Sequence, residues 1–178
     1  MLEFKEDRLI FSFPQNTVAK YDETAFYQQF KRTGNGIKAV DFIYTDRTSW
    51  FIEVKDYRKL TKEIQHQPTE IEPKNILPSQ LSEAVAKKVF DTLQGIEAAK
   101  DSPNSDIYYL SKIFLQKAKK VVLHLEQDTM YKKFRPIDPA DILQQLKKLL
   151  RQVDSNPYVV NCDNLSKKID INWSVQSQ

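Results

Sequence analysis

The stretch Ala39-Val40-Asp41-Phe42-Ile43-Tyr44, followed after Thr45-Asp46-Arg47-Thr48-Ser49 by Trp50-Phe51-Ile52-Glu53-Val54-Lys55, decides how this chain is read. Both arms are β-branched and aromatic, and the polar residues between them suit a hairpin loop. In that register Tyr44 faces Trp50 and Asp41 faces Glu53. Residues directly opposite share a sheet face, with Cβ atoms about 4.5–5.5 Å apart. Lys55, two beyond Glu53, points to the same face, while Val40, Phe42, Tyr44, Ile52 and Val54 point to the other. Three charged side chains thus converge on one face of two otherwise apolar strands.

Two carboxylates directly opposite repel and destabilise a sheet unless something compensates. A divalent cation does so: Mg²⁺ takes hard oxygen ligands, often one or two carboxylates with phosphate and water. The backbone carbonyl of Val54 adds a further oxygen, and the Lys55 ammonium stands beside the metal-bound water. That set suits metal-assisted phosphodiester hydrolysis. The competing reading is a self-paired triplet in which Lys55 bridges Asp41 and Glu53. At ordinary usage the bare string, with its spacing left free, arises roughly 0.4 times by chance in a chain this long. Its placement on two adjacent apolar strands carries the weight.

Working outward, residues 2–13 read as a strand or strand pair at an edge. Asp22 can cap a helix to about residue 31, whose stripe Glu23, Phe26, Tyr27 and Phe30 turns Glu23 toward the sheet. Thr33-Gly34-Asn35-Gly36 stops it. Residues 37–44 and 50–55 are the hairpin strands. Residues 58–78 are polar, carry three prolines and have no period, as in a long loop. Residues 80–99 form the clearest helix, with Leu81, Val85, Val89, Leu93 and Ile96 inward. On it Lys88 lies at the apolar side, whereas Lys87 points away among its own acidic neighbours. Asp106 is expected to cap a helix to about residue 119, and residues 121–126 form a buried strand. Asp138-Pro139-Ala140-Asp141 is a strong helix start, the helix running to about residue 153. A strand over 157–162 follows, and the tail after Lys168, residues 169–178, is expected to fray in part. The order β-α-β-β-α-α-β-α-β describes a single α/β domain over 1–178, a central mixed β-sheet flanked by helices.

The 178 residues are 40% hydrophobic and 29% charged, enough to bury a core without disulfides. Mean hydropathy is −0.57, and no apolar run approaches the ~18–20 residues of a membrane span. The opening residues lack the layout of a secretory signal. One cysteine and two histidines exclude a disulfide framework, a zinc cluster of cysteines and a His-rich site. A reducing, cytoplasmic setting is the expectation. No Gly-rich phosphate loop occurs. A net charge of +3 is modest for a protein that binds nucleic acid by charge alone. His124, mid-strand, reads as a core or interface histidine, and Cys162 as a small buried hydrophobe. Tyr108, Tyr109, Trp50 and Trp173 can stack on bases, with core packing the simpler reading.

The Asp41 … Glu53-Val54-Lys55 hairpin, with the helix before it and the helix and strand after it, resembles the core of the PD-(D/E)xK nuclease superfamily, the restriction-endonuclease-like fold. The resemblance spans about residues 22–126. It implies that Asp41 and Glu53 bind Mg²⁺ or Mn²⁺ with the Val54 carbonyl, and that Lys55 acts on the attacking water. It also implies an auxiliary carboxylate from the preceding helix, here Glu23, and a basic residue from the following helix, here Lys88. The run from Val85 to Leu93 is similar to uncharacterised bacterial members. The implied partner is nucleic acid, DNA first, and cutting two strands would favour a homodimer. Val40 stands where the family often has proline. The 58–78 loop could grip substrate through Arg58, Lys59 and Lys62, or occlude the site. With its low net charge, the chain could instead serve as a catalytically silent binding or interaction subunit of a larger complex.

Overall fold

Alternation between two apolar faces governs the strands. The computed structural model describes residues 1–58, 77–127 and 137–178. In it β3 (Val18–Lys20), β4 (Phe42–Thr45), β5 (Ser49–Asp56), β6 (Lys119–Glu126) and β7 (Tyr158–Val160) form a five-stranded sheet in that order. β3, β4 and β5 pair antiparallel, whereas β5, β6 and β7 pair parallel. A second, antiparallel sheet joins β1 (Leu2–Glu6), β2 (Leu9–Phe13) and β8 (Ser174–Ser177). The helices among the described residues are α1 (Ala25–Phe30), α2 (Pro78–Ala99), α3 (Tyr108–Leu115) and α4 (Pro139–Leu149). The fold is α/β, with a mixed central sheet.

Residue parity sorts the core into two layers. Ile43, Phe51, Val121, Leu123 and Leu125 face the helices, meeting Leu81, Val85, Val89 and Ile96 of α2, Phe114 of α3, and Ile142 and Leu146 of α4. Each such side chain contributes about 1.5–3 kcal/mol through burial. Phe42, Tyr44, Trp50, Ile52, Val54 and Val122 face the other way, onto Leu9, Phe11 and Phe13 of β2 and onto Trp173. The helices therefore cover one face of the central sheet, and a sheet covers the other. Trp50 and Trp173 are core residues, with ring centroids 5.1 Å apart, whereas Tyr109 is exposed.

Several boundaries differ from the sequence expectation. The hairpin loop is residues 46–48, because Thr45 and Ser49 already pair; the Tyr44–Trp50 register is as expected. The first arm begins at Phe42, and Val40 packs toward the helices. Asp22 lies in a 3-10 turn, Tyr21–Glu23, and Thr24 caps α1 by accepting the Tyr27 N–H at 3.2 Å. Asp106 caps α1 as well, not α3: its carboxylate accepts the N–H groups of Ala25 and Phe26 at 2.8 and 3.1 Å. Asp138 caps α4 as its sequence suggests. Residues 169–178 do not fray as a whole, since β8 pairs with β2 and Trp173 is buried. The expected loop over 58–78 falls largely outside the described residues, Lys59 and Lys62 with it; α2 begins at Pro78.

Gly95 on α2 is a close-approach position. A Cβ there would lie 2.0 Å from the Tyr21 hydroxyl. This lets α2 sit down on the 3-10 turn and fixes the height at which Lys88, two turns earlier, meets the sheet.

Candidate functional site

The site forms where β4 begins and β5 continues beyond it. The last ladder pair is Phe42 with Ile52, so Val54 has no backbone partner on that side. Asp41 fills the gap: its Oδ2 accepts the Val54 N–H at 2.6 Å. A residue's N–H and C=O face the same side of an antiparallel strand, so the Val54 carbonyl lies along this open edge too. The ladder offset, carried one step further, sets Asp41 across from Glu53. Asp41 is 7% exposed and Glu53 fully buried.

Glu53 is held on one oxygen only. Lys88 from α2 donates to Oε1 at 2.6 Å, and Lys55 lies 2.7 Å from the same atom. Oε2 is buried without a hydrogen-bond partner. The lysine side chains are 22% and 29% exposed, so their charged ends border solvent while their stems line the site. Burial, followed by the Glu53 charge, pushes the Asp41 carboxyl up to about 8, against the pull of Lys88 and the Val54 N–H. Burial works to lower Lys55, but the Glu53 carboxylate outweighs it and holds the ammonium above its ordinary range.

Glu23 is corrected. The helix starts at Ala25, so the stripe that would aim Glu23 inward does not extend to it. Its side chain is 65% exposed and pairs with Lys20 at 2.6 Å. Its neighbour Asp22 points inward instead, with Oδ1 buried and unpartnered. The Tyr21 N–H donates to the Asp41 carbonyl at 2.8 Å, which draws this turn against the site. Burial, then the Glu6 charge, raises the Asp22 carboxyl to about 6, while Lys20 and Lys88 pull the other way. Arg58 donates to Asp56 through Nε at 2.8 Å and a terminal nitrogen at 2.7 Å, and to Ser177 Oγ at 2.7 Å.

A second polar cluster occupies the opposite face of the sheet. His124 Nε2 donates to Glu126 Oε1 at 2.9 Å, and the Cys162 backbone N–H donates to the same oxygen at 2.7 Å. Cys162 Sγ lies 3.9 Å from His124 Nε2. Burial would raise the Glu126 carboxyl, but these donors overturn it and hold it at about 2. Burial and the Glu126 acceptor push the Cys162 thiol up to about 12. Read singly in the sequence, His124 and Cys162 pass for core residues. The available signal was the His124-x-Glu126 pair, which shares one face of a strand.

No protein-family model, curated protein or solved structure matches the chain. No helix among the described residues is long and apolar enough to cross a membrane.

Proposed function

We propose that this protein is a metal-dependent nuclease of the PD-(D/E)xK kind, hydrolysing phosphodiester bonds in nucleic acid, with DNA the first candidate. The observation that carries the reading is the Glu53 carboxylate. It is fully buried, anchored by two lysines on Oε1, and left with a bare Oε2 on the face it shares with Asp41. A self-paired triplet has no use for that orphan oxygen, whose burial alone is unfavourable. An orphan lone pair and a carboxyl strained toward protonation both suit a hard cation.

Asp41, Glu53 and the Val54 carbonyl would hold Mg²⁺ or Mn²⁺. Bound there, the ion supplies Lewis-acid stabilisation of phosphate charge and a more acidic water. The chain's own residues do the rest. Lys88 locks the Glu53 rotamer from α2. Lys55, kept as an ammonium by Glu53, orients the attacking water and stabilises negative charge gathering on the phosphoryl oxygens, rather than removing a proton. Asp22 feels the Lys88 charge and offsets part of it.

The test is incubation of the protein with plasmid, single-stranded and branched DNA, and with RNA, in Mg²⁺ or Mn²⁺. Cleavage should appear with one of these and fall about 10²–10⁴-fold in the Asp41→Ala, Lys55→Ala double variant. Undiminished cleavage by that variant would mean a contaminant. Binding without cleavage by the wild type would favour the catalytically silent subunit.

A further inference from the structure

We propose that His124, Glu126 and Cys162 form a binding site for a borderline-soft divalent cation of the zinc type, separate from the Asp41–Glu53 pair and independent of the nuclease reading. The three ligand atoms, imidazole nitrogen, carboxylate oxygen and thiol sulfur, all lie within 4.8 Å of one another. A tetrahedral zinc ion, with bonds of about 2.0–2.3 Å, holds its ligand atoms roughly 3.2–3.8 Å apart. The observed 2.9 Å from Nε2 to Oε1 and 3.9 Å from Nε2 to Sγ bracket that spacing. Small rotamer adjustments would admit the ion once the imidazole proton has moved from Nε2 to Nδ1, which leaves the ring neutral and Nε2 free to ligate.

The arrangement does not suit a nucleophilic cysteine. There a carboxylate would orient the histidine through its far nitrogen, leaving the near one for sulfur. Here Glu126 and Cys162 both approach Nε2, whereas Nδ1 is buried without a partner. Three donors converging on one point is a ligand geometry. Charge agrees with this. A neutral imidazole, a carboxylate and a thiolate cancel a divalent ion, so no net charge is buried, and the thiol proton leaves to solvent on binding. The nearby Arg58 guanidinium is already matched by Asp56. Cys162 is only half-buried and gives an ion its way in.

One imidazole, one carboxylate and one thiolate favour zinc over magnesium or calcium, and a fourth position stays open to water or a ligand. No acceptor braces Nδ1, so the affinity should lie about 10–100-fold below that of a braced histidine site.

The experiment is a titration of the chelator-treated full chain, under reducing conditions, with Co²⁺ and then Zn²⁺. The expected result is a thiolate-to-cobalt charge-transfer band that saturates at equimolar ion and vanishes on adding Zn²⁺. Cys162→Ser should lose the band. His124→Gln and Glu126→Gln should each weaken binding about tenfold or more. The Asp41→Asn, Glu53→Gln double variant should keep the band, so failure here and failure of the nuclease reading are told apart. Absence of the band in the wild type would overturn the site. So would unaltered affinity in both His124→Gln and Glu126→Gln, which would indicate a lone thiolate adduct.

Discussion

On one face of the central sheet β5 presents Glu53 and Lys55; on the other β6 presents His124 and Glu126. The strands run side by side in parallel, with Val54 level with His124. Odd positions of β5 meet helices and even positions of β6 meet the small sheet, so a one-residue phase difference separates two chemistries. The helix face gathers oxygen donors and ammonium groups around an orphan carboxylate oxygen. The sheet face gathers nitrogen, oxygen and sulfur around a single point. The lesson is that strand parity, as much as strand position, assigns a polar residue to a site. A one-residue slip of either strand would turn its polar pair to the opposite face of the sheet.

The largest way to break this comparison is to remove the carboxylates of one face only. Asp41→Asn with Glu53→Gln should reduce any Mg²⁺-dependent cleavage by about 10²–10⁴-fold. Cobalt binding opposite should stay unchanged in the same preparation. If both fall together, the faces are not independent.

Next comes removal of the lysines. Lys55→Met with Lys88→Met leaves Glu53 buried and unpaired, and should destabilise the fold by about 3–5 kcal/mol in urea unfolding. Adding Glu53→Gln should recover much of that loss. No recovery would mean that the lysine stems, rather than their charges, do the stabilising.

A smaller effect is expected at Gly95, where α2 rests on the Tyr21 hydroxyl. Gly95→Ala should cost about 1–3 kcal/mol through overpacking. It should weaken Mg²⁺-dependent activity by displacing Lys88, and leave the cluster behind the sheet untouched. The Tyr21 hydroxyl is buried without a partner. Tyr21→Phe should therefore be close to neutral alone and should partly rescue Gly95→Ala.

The most gradual effect is in pH, and the faces have opposite signs. Asp41 keeps its proton in the fold up to about 8. Between pH ~4 and ~8 the folded state then holds the extra proton, so stability of the metal-free protein falls as pH rises, by at most about 1.4 kcal/mol per pH unit. Glu126 is held at about 2, so its contribution is complete above its ordinary range and is lost as pH falls toward 2. Asp41→Asn should flatten the first slope and Glu126→Gln the second, as read by denaturant midpoints across the pH range.

Much of the first face was legible in the sequence. The polar loop between two apolar arms gave the register, and the register set Asp41 against Glu53. The α2 stripe placed Lys88, because a 3.6-residue period leaves little freedom over so long a helix. Glu23 was misplaced because Asp22 and Thr24 both make acceptable caps, and which residue caps sets the phase of everything after it. The three-residue β3 and the closing β8 were not legible, since short edge strands depend on a distant partner more than on their own pattern. Nor was the second face. His124 and Cys162 meet only through the pairing of β6 with β7, which places His124 level with Val160. A single sequence holds no rule for that distance.

The pairing of β2 with β8 joins Leu9 to Ser177 and Ser12 to Ser174. The β1–β2 hairpin must therefore wait for residues 174–177, more than 160 positions on, before its outer edge is covered. Until then Phe11, whose ring lies 5.4 Å from that of His124, has no fixed neighbour on one flank. Such distant closure is slow, which makes this layer the one expected to assemble late.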